Sequence, residues 1–221
     1  MPTIGALSIG QTPRADDLTR EIAATLGPSF RVVERGALDP LTRQQVADLA
    51  PQPGQFALIT LLRDGNPVKL GKPKLLPLLQ ARIAELEAEG VDAILILCTG
   101  AFPVFTSRVP VVRPQAALYN LAKGLAAPGR AGVLVPLAEQ IEQAEAQCQA
   151  IGMPAVVAVA DPYTDTQLAD AVRAFARADV ALCLMDCFGY SLAMKRAVQE
   201  SLGRPALLAR TALARVMAEL S

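Results

Sequence analysis

The stretch DAILILCTGAF, residues 92–102, runs from an aspartate through five apolar residues to Cys98, Thr99 and Gly100. A short apolar run of this length, closed by glycine, reads as a buried strand that ends in a loop. The stretch DVALCLMDCFGY, residues 179–190, has the same form: aspartate, apolar run, Cys187, then glycine two residues on. Each is preceded by a helical pattern, 74–89 in the first case and 165–178 in the second. The two cysteines stand 89 positions apart in a chain of 221. This spacing predicts two similar lobes, each ending a strand in a thiol. A fainter repeat links IGALSI near the start with AGVLVP, whose first residue is Ala131.

Working outward, short apolar runs alternate with longer helical patterns, the signature of an α/β fold with parallel sheets. Eight strands are expected: 4–9, 31–35, 57–62, 93–97, 131–135, 155–159, 180–185 and 206–208. Helices are expected over 16–25, 42–49, 74–89, 115–126, 139–151, 165–178, 191–201 and 211–220. Thr42 and Asp165 are suited to cap their helices, and Gly90 and Gly152 to end theirs in the left-handed conformation. RDGNP, residues 63–67, reads as a turn or small hairpin that returns Lys69 towards a site. The expected division is 1–113 plus 206–221 for the first lobe and 114–205 for the second.

Composition narrows the function. Basic and acidic residues number 21 each, so no excess charge calls for a nucleic-acid or anionic-membrane partner. Aromatic residues are 4% and tryptophan is absent, which argues against a stacking platform for bases or sugars. A small ligand is the remaining expectation. The start of the chain lacks a basic segment followed by a long apolar one, and no run approaches the roughly 18 residues of a membrane helix. A cytoplasmic protein with reduced thiols is expected. Cys183 and Cys187, if on one strand, stand roughly 13 Å apart, too far for a disulfide. The chain has no histidine. Histidine-assisted hydrolysis and the usual zinc sites are therefore removed, and proton chemistry falls to thiols, carboxylates, lysines or hydroxyls. CLMDC is a poor metal motif without histidine, and neither a phosphate-binding G-x-x-x-x-G-K-[ST] nor a G-x-G-x-x-G follows the first strand, so no metal and no cofactor are expected.

In parallel α/β sheets, ligands bind beyond the carboxyl ends of the strands. The residues expected there are Gln11, Thr12 and Arg14 after the first strand, Arg63 after the third with Thr60 within it, and Cys98, Thr99 and Gly100 after the fourth. From the second half come Pro136 and Glu139 after the fifth strand, and Asp186, Cys187, Phe188, Gly189 and Tyr190 after the seventh. A thiol at a helix N-terminus has its thiolate favoured and can act as base or nucleophile. Gly100 and Gly189 can expose N–H groups to a carboxylate, Thr12 and Thr99 can add hydroxyls, and Arg14 can clamp a carboxylate in a bidentate fork. This set suits a small carboxylic acid. Two thiols on opposite sides of a carbon would invert it by removing one proton and returning another. One thiol would instead protonate a single face after decarboxylation, or add to an activated double bond.

Each residue also has a plainer reading. Free cysteine is commonly buried packing, and that reading is kept for Cys148 and Cys183. Arg14 and Arg63 can be solvated strand-end residues, and Asp16 a helix cap. Asp186 points away from Cys187 if the strand reaches that far, or else orients a substrate amine. Tyr190 either caps a pocket or closes the core.

SIGQTPRADD (8–17), LITLLRDG (58–65), CTG (98–100) and LMDCFGY (184–190) together resemble the AroM family, within the aspartate/glutamate/hydantoin racemase superfamily, over nearly the whole chain. The resemblance implies two flavodoxin-like lobes related by a pseudo-two-fold axis, with an active-site cleft between them. It also implies a cofactor-independent racemase-like isomerase in which Cys98 and Cys187, one from each lobe, serve as acid and base. Decarboxylase and maleate isomerase relatives use cysteine differently, and a binder that keeps the cleft without turnover is a third alternative. Thr99-Gly100 and Phe188-Gly189 depart from the Asn-Thr-type and Thr-His pairs of the amino-acid racemases, which points away from aspartate or glutamate as substrate. Racemase-like folds often dimerise, and the alanine-rich helices offer a surface for a homodimer.

Overall fold

In a computed structural model the described residues are 1–14, 16–164 and 167–220. They divide into two compact units, Met1–Pro114 with Leu213–Ser221, and Gln115–Ala212. Among the described residues no helix is long and apolar enough to cross a membrane.

The first unit contains β1 (Thr3–Ser8), α1 (Leu18–Leu26), β2 (Arg31–Gly36), α2 (Arg43–Ala47), β3 (Ala57–Leu61), β4 (Pro67–Gly71), α3 (Lys72–Ala88), β5 (Ala93–Ile96) and β6 (Val111–Val112). A parallel sheet runs β2-β1-β5-β6. The chain continues through α4 (Pro114–Ala126), β7 (Ala131–Val135), a 3-10 turn at Ala138–Gln140, α5 (Ile141–Ala150) and β8 (Ala155–Val159). It ends with α6 (Leu168–Arg177), β9 (Leu182–Met185), α7 (Leu192–Leu202), β10 (Ala206–Leu208) and α8 (Ala209–Glu219). The second unit's parallel sheet, written from its other edge, runs β8-β7-β9-β10. Each sheet therefore orders its strands second, first, third, fourth, so β1 corresponds to β7 and β5 to β9.

This order explains the apolar runs. The central strands β1, β5, β7 and β9 are buried along their whole length, while β2, β6 and β8 are mostly half-buried at or near an edge. A strand with helices on both faces has no solvent side, so its sequence does not alternate. The faint IGALSI and AGVLVP repeat falls on β1 and β7. Its glycines are equivalent in register, Gly5 pairing with Ile94 and Gly132 with Cys183. A Cβ on Gly5 would lie 3.1 Å from Leu86 of α3, and one on Gly132 2.8 Å from the Phe175 ring of α6. In both units a bulky side chain from the helix before the third strand lies against a bare backbone. Leu75, Leu79, Ile83 and Leu86 form the buried stripe of α3; Ala171, Val172 and Phe175 form that of α6.

Several boundaries hold for the expected reasons. Thr42 accepts the backbone N–H of Gln45, whose side chain returns to Thr42 in a capping box. Gly90 and Gly152 follow their helices at φ 78° and 65°. Asp165, expected as a cap, lies outside the described residues, and α6 starts at Leu168.

Three features differ from the sequence reading. Residues 67–71 and 111–112 add two strands to the eight expected. The third strand does not join a parallel sheet: β3 pairs antiparallel with β4, Thr60 opposite Val68. The connection between them is too short for a parallel crossover, which takes a dozen residues or more. Finally, β10 pairs with β9 in the second unit, whereas the expected boundary put 206–208 in the first lobe. Only the part of α8 from Leu213 onward belongs to the first unit.

Candidate functional site

In the first unit the ends of β1 and β5 lie side by side, because the Leu97 N–H donates to the Leu7 carbonyl. The loop 10–14 and Cys98-Thr99-Gly100 therefore leave the same edge of the sheet. Asp39, beyond β2, organises the loop after β1. Its carboxylate accepts from the Gly36 N–H at 2.7 Å, the Thr12 N–H at 2.6 Å and the Thr12 hydroxyl at 2.7 Å. Arg63 adds an ion pair to the same carboxylate at 3.3 Å and donates to the Thr12 carbonyl at 2.7 Å. The Gln11 side chain accepts from the Arg63 N–H and donates to the Leu38 carbonyl. Gln11, Thr12, Arg14, Thr60 and Arg63 are thus brought into one cluster, although Arg63 comes from the hairpin turn and not from the end of a parallel strand.

The Arg14 fork is occupied within the chain. Its Nε and Nη2 donate to the two oxygens of Asp16 at 2.7 and 2.8 Å, and its Nη1 donates to Thr60 at 3.3 Å. Asp16 therefore carries Arg14; the residue preceding α1 is Asp17, whose side chain makes no capping hydrogen bond. Thr60 is buried at 1% exposure, and Arg63 remains half-exposed.

Cys98 is half-buried, and the Gly100 N–H donates to its Sγ at 3.4 Å. Cys187 is 9% exposed, and the Gly189 N–H donates to its Sγ at 3.3 Å. The same device thus follows the equivalent strands β5 and β9. A helix N-terminus was the expected partner of each thiol. Instead the donor is the amide two residues on: Cys98 is followed by irregular chain, and α7 begins only at Leu192, capped by Ser191.

In the second unit, Pro136 is buried just beyond β7, and two residues before it the Leu134 carbonyl accepts the Asp186 N–H. Asp186 is 7% exposed and accepts from the Tyr119 hydroxyl of α4 at 2.6 Å. Burial first, and then the Asp186 charge, push the Tyr119 hydroxyl far above its ordinary range. It stays protonated and donates. Tyr190 closes the core: it is fully buried, and its hydroxyl donates to the Ala160 carbonyl at 2.6 Å. Phe188 is 2% exposed, and Gly189 packs so closely that a Cβ there would lie 2.7 Å from Pro162. Asp39, Tyr119 and Arg210, whose guanidinium meets the Cys187 loop, escaped the sequence reading. The one signal was Arg210 alone in the apolar run around LLARTAL.

Burial pushes the Cys148 thiol up to about 11 and the Cys183 thiol up to about 12, from 9.0. A folded value above the unfolded one means that the protonated thiol is favoured by folding. That contribution is complete below pH 9 and is lost as pH rises towards 12. Replacing Cys183 by alanine should therefore flatten the alkaline fall in stability, with urea midpoints compared on both sides of pH 9. Parallel declines in the two proteins would refute the burial account. Among the described residues, no group of three or more His, Cys, Asp or Glu could hold a metal ion.

A search of curated proteins finds no match. Among solved structures, arylmalonate decarboxylase superposes with a TM-score of 0.62 at 19% identity, over 98% of this chain and 92% of that one. The glutamate racemase of Aquifex pyrophilus gives 0.61 at 13% identity, over 99% and 84%. The aspartate racemase of Picrophilus torridus gives 0.58 at 11% identity, over 99% and 95%. At these identities the likeness is one of fold, and it covers both units. The family model described as AroM protein matches residues 4–221. The chain belongs to the AroM family and carries the fold shared by aspartate and glutamate racemases and arylmalonate decarboxylase.

Proposed function

We propose that the protein is a cofactor-independent racemase-like isomerase acting on a small carboxylic acid, with Cys98 and Cys187 as the acid/base pair. The observation that carries this reading is the repeated sulfur site. Equivalent strands of two similarly built sheets are each followed, two residues past their end, by a cysteine whose Sγ receives the N–H of a glycine two residues on. An N–H aimed at sulfur stabilises negative charge there, which a proton-abstracting thiolate needs. In the proposed step, one thiolate takes the proton from the carbon next to the carboxylate, and the electron pair moves into the carboxylate as an enediolate. The other thiol protonates the opposite face. The carbon is inverted, and the pair is left with its protonation states exchanged.

A second reading is favoured by the unequal exposure of the two sites, Cys187 being the more buried. In a decarboxylase one carboxylate leaves as carbon dioxide, its bonding electrons stay on the carbon, and a single thiol protonates it. Incubation in deuterated water with a panel of 2-substituted acids and malonates separates the readings. Deuterium entering an unchanged acid at the α-carbon supports the isomerase. Carbon dioxide with a singly deuterated product supports the decarboxylase. Binding without either leaves a carboxylate-binding protein.

A further inference from the structure

We propose that Arg210 is a positioning residue for Cys187, acting through the peptide that joins Phe188 to Gly189. Among the described residues Arg210 is the largest fully buried side chain, 1% exposed, in the first turn of α8. Its Nε and Nη2 donate to the Phe188 carbonyl at 3.1 and 2.6 Å, and Nη2 also reaches the Gly189 carbonyl at 3.1 Å. The Phe188 carbonyl and the Gly189 N–H belong to one peptide plane, and that N–H is the donor to Cys187 Sγ. The plane is gripped at its oxygen by a guanidinium and presents its hydrogen to the sulfur. Two donors on one oxygen fix the orientation of the plane, and the positive charge polarises it so that the N–H becomes a stronger donor. A buried guanidinium is costly to retain for packing alone, since an apolar side chain of similar volume serves as well or better.

The first unit holds its loop differently. Lys72 donates to the Ala101 carbonyl at 3.1 Å and Arg113 to the Phe102 carbonyl at 3.3 Å, both beyond the peptide that faces Cys98. Arg210 grips the peptide that faces Cys187, and Cys98 serves as an internal control.

The catalytic meaning of this inference rests on the proposed role of Cys187, but its test does not require turnover. The thiolate's ultraviolet absorbance is titrated in the full-length chain, with Cys98→Ser to read Cys187 and Cys187→Ser to read Cys98. In Arg210→Met, the Cys187 titration should move up by about one pH unit, the lower end of what one nearby charge does to an ionisable group. The Cys98 titration should stay in place. An unmoved Cys187 titration, or an equal movement of both thiols, overturns the proposal. If Arg210→Met does not fold, Arg210→Gln decides by the same criterion, since its amide keeps a donor for the Phe188 carbonyl without the charge. A shift confined to Cys187 together with absent α-carbon exchange would sink the enzymatic reading and leave the positioning role intact.

Discussion

Serine in place of Cys187 should lower α-carbon exchange by about 10³-fold, and serine in place of Cys98 should do the same. The hydroxyl keeps the shape and can still accept the Gly189 or Gly100 N–H, but it does not ionise near neutral pH. What is lost is proton transfer itself. In the two-thiol mechanism each cysteine is base in one direction and acid in the other, so neither single variant retains racemisation. Exchange measured separately from each enantiomer sharpens the test, because the thiol serving as base then differs. Loss in one variant alone would favour single-thiol chemistry. Two variants that both keep exchange within about threefold of the parent would remove the cysteines from the chemistry altogether, since a positioned acid or base contributes at least about 10²-fold.

Alanine in place of Asp39 should cost about 3 to 4 kcal/mol of stability in the first unit, the sum expected from leaving buried donors without acceptors. The carboxylate collects the Gly36 N–H, the Thr12 N–H and hydroxyl, and the Arg63 guanidinium. Water can replace it only in part, because Gly36 is buried and Thr12 is 8% exposed. Asparagine should recover only a fraction, since its NH2 group would face hydrogen-bond donors. Urea unfolding followed by hydrogen exchange at β1 and β2 reads the loss in the unit concerned. A change below about 0.5 kcal/mol, the range of ordinary surface substitutions, would show that the loop 10–14 is held by other means.

The strands that were easy to place are the ones buried on both faces. Leu95 and Leu184 sit in runs whose sequence leaves little choice, because a helix covers each side. The edge strand 111–112 was illegible for the opposite reason: two half-buried residues carry no periodicity. Residues 57–62 showed the apolar content of a strand but not its partner. Partner choice came from the short turn that follows, and the antiparallel ribbon resulted. At the candidate site, Cys98 and Cys187 stood out because an apolar run stops at each. Arg14 was visible as a cation near a strand end, whereas its capture by Asp16 depends on how the loop closes.

By itself the sequence determined the alternation of helix and strand, the doubling of the pattern, and the two thiols at equivalent places in it. These are local properties, set by hydrophobic period and by glycine at chosen positions, and they repeat when a segment repeats. Only the tertiary structure decided which groups meet those thiols and hold the loops around the strand ends. A backbone amide two residues on replaced the expected helix terminus, and Tyr119, Asp39 and Arg210 arrived from 67, 27 and 22 residues away from their partners Asp186, Thr12 and Phe188. A hydrogen bond needs its partners within about 3 Å whatever their separation along the chain, and periodicity carries no record of that distance.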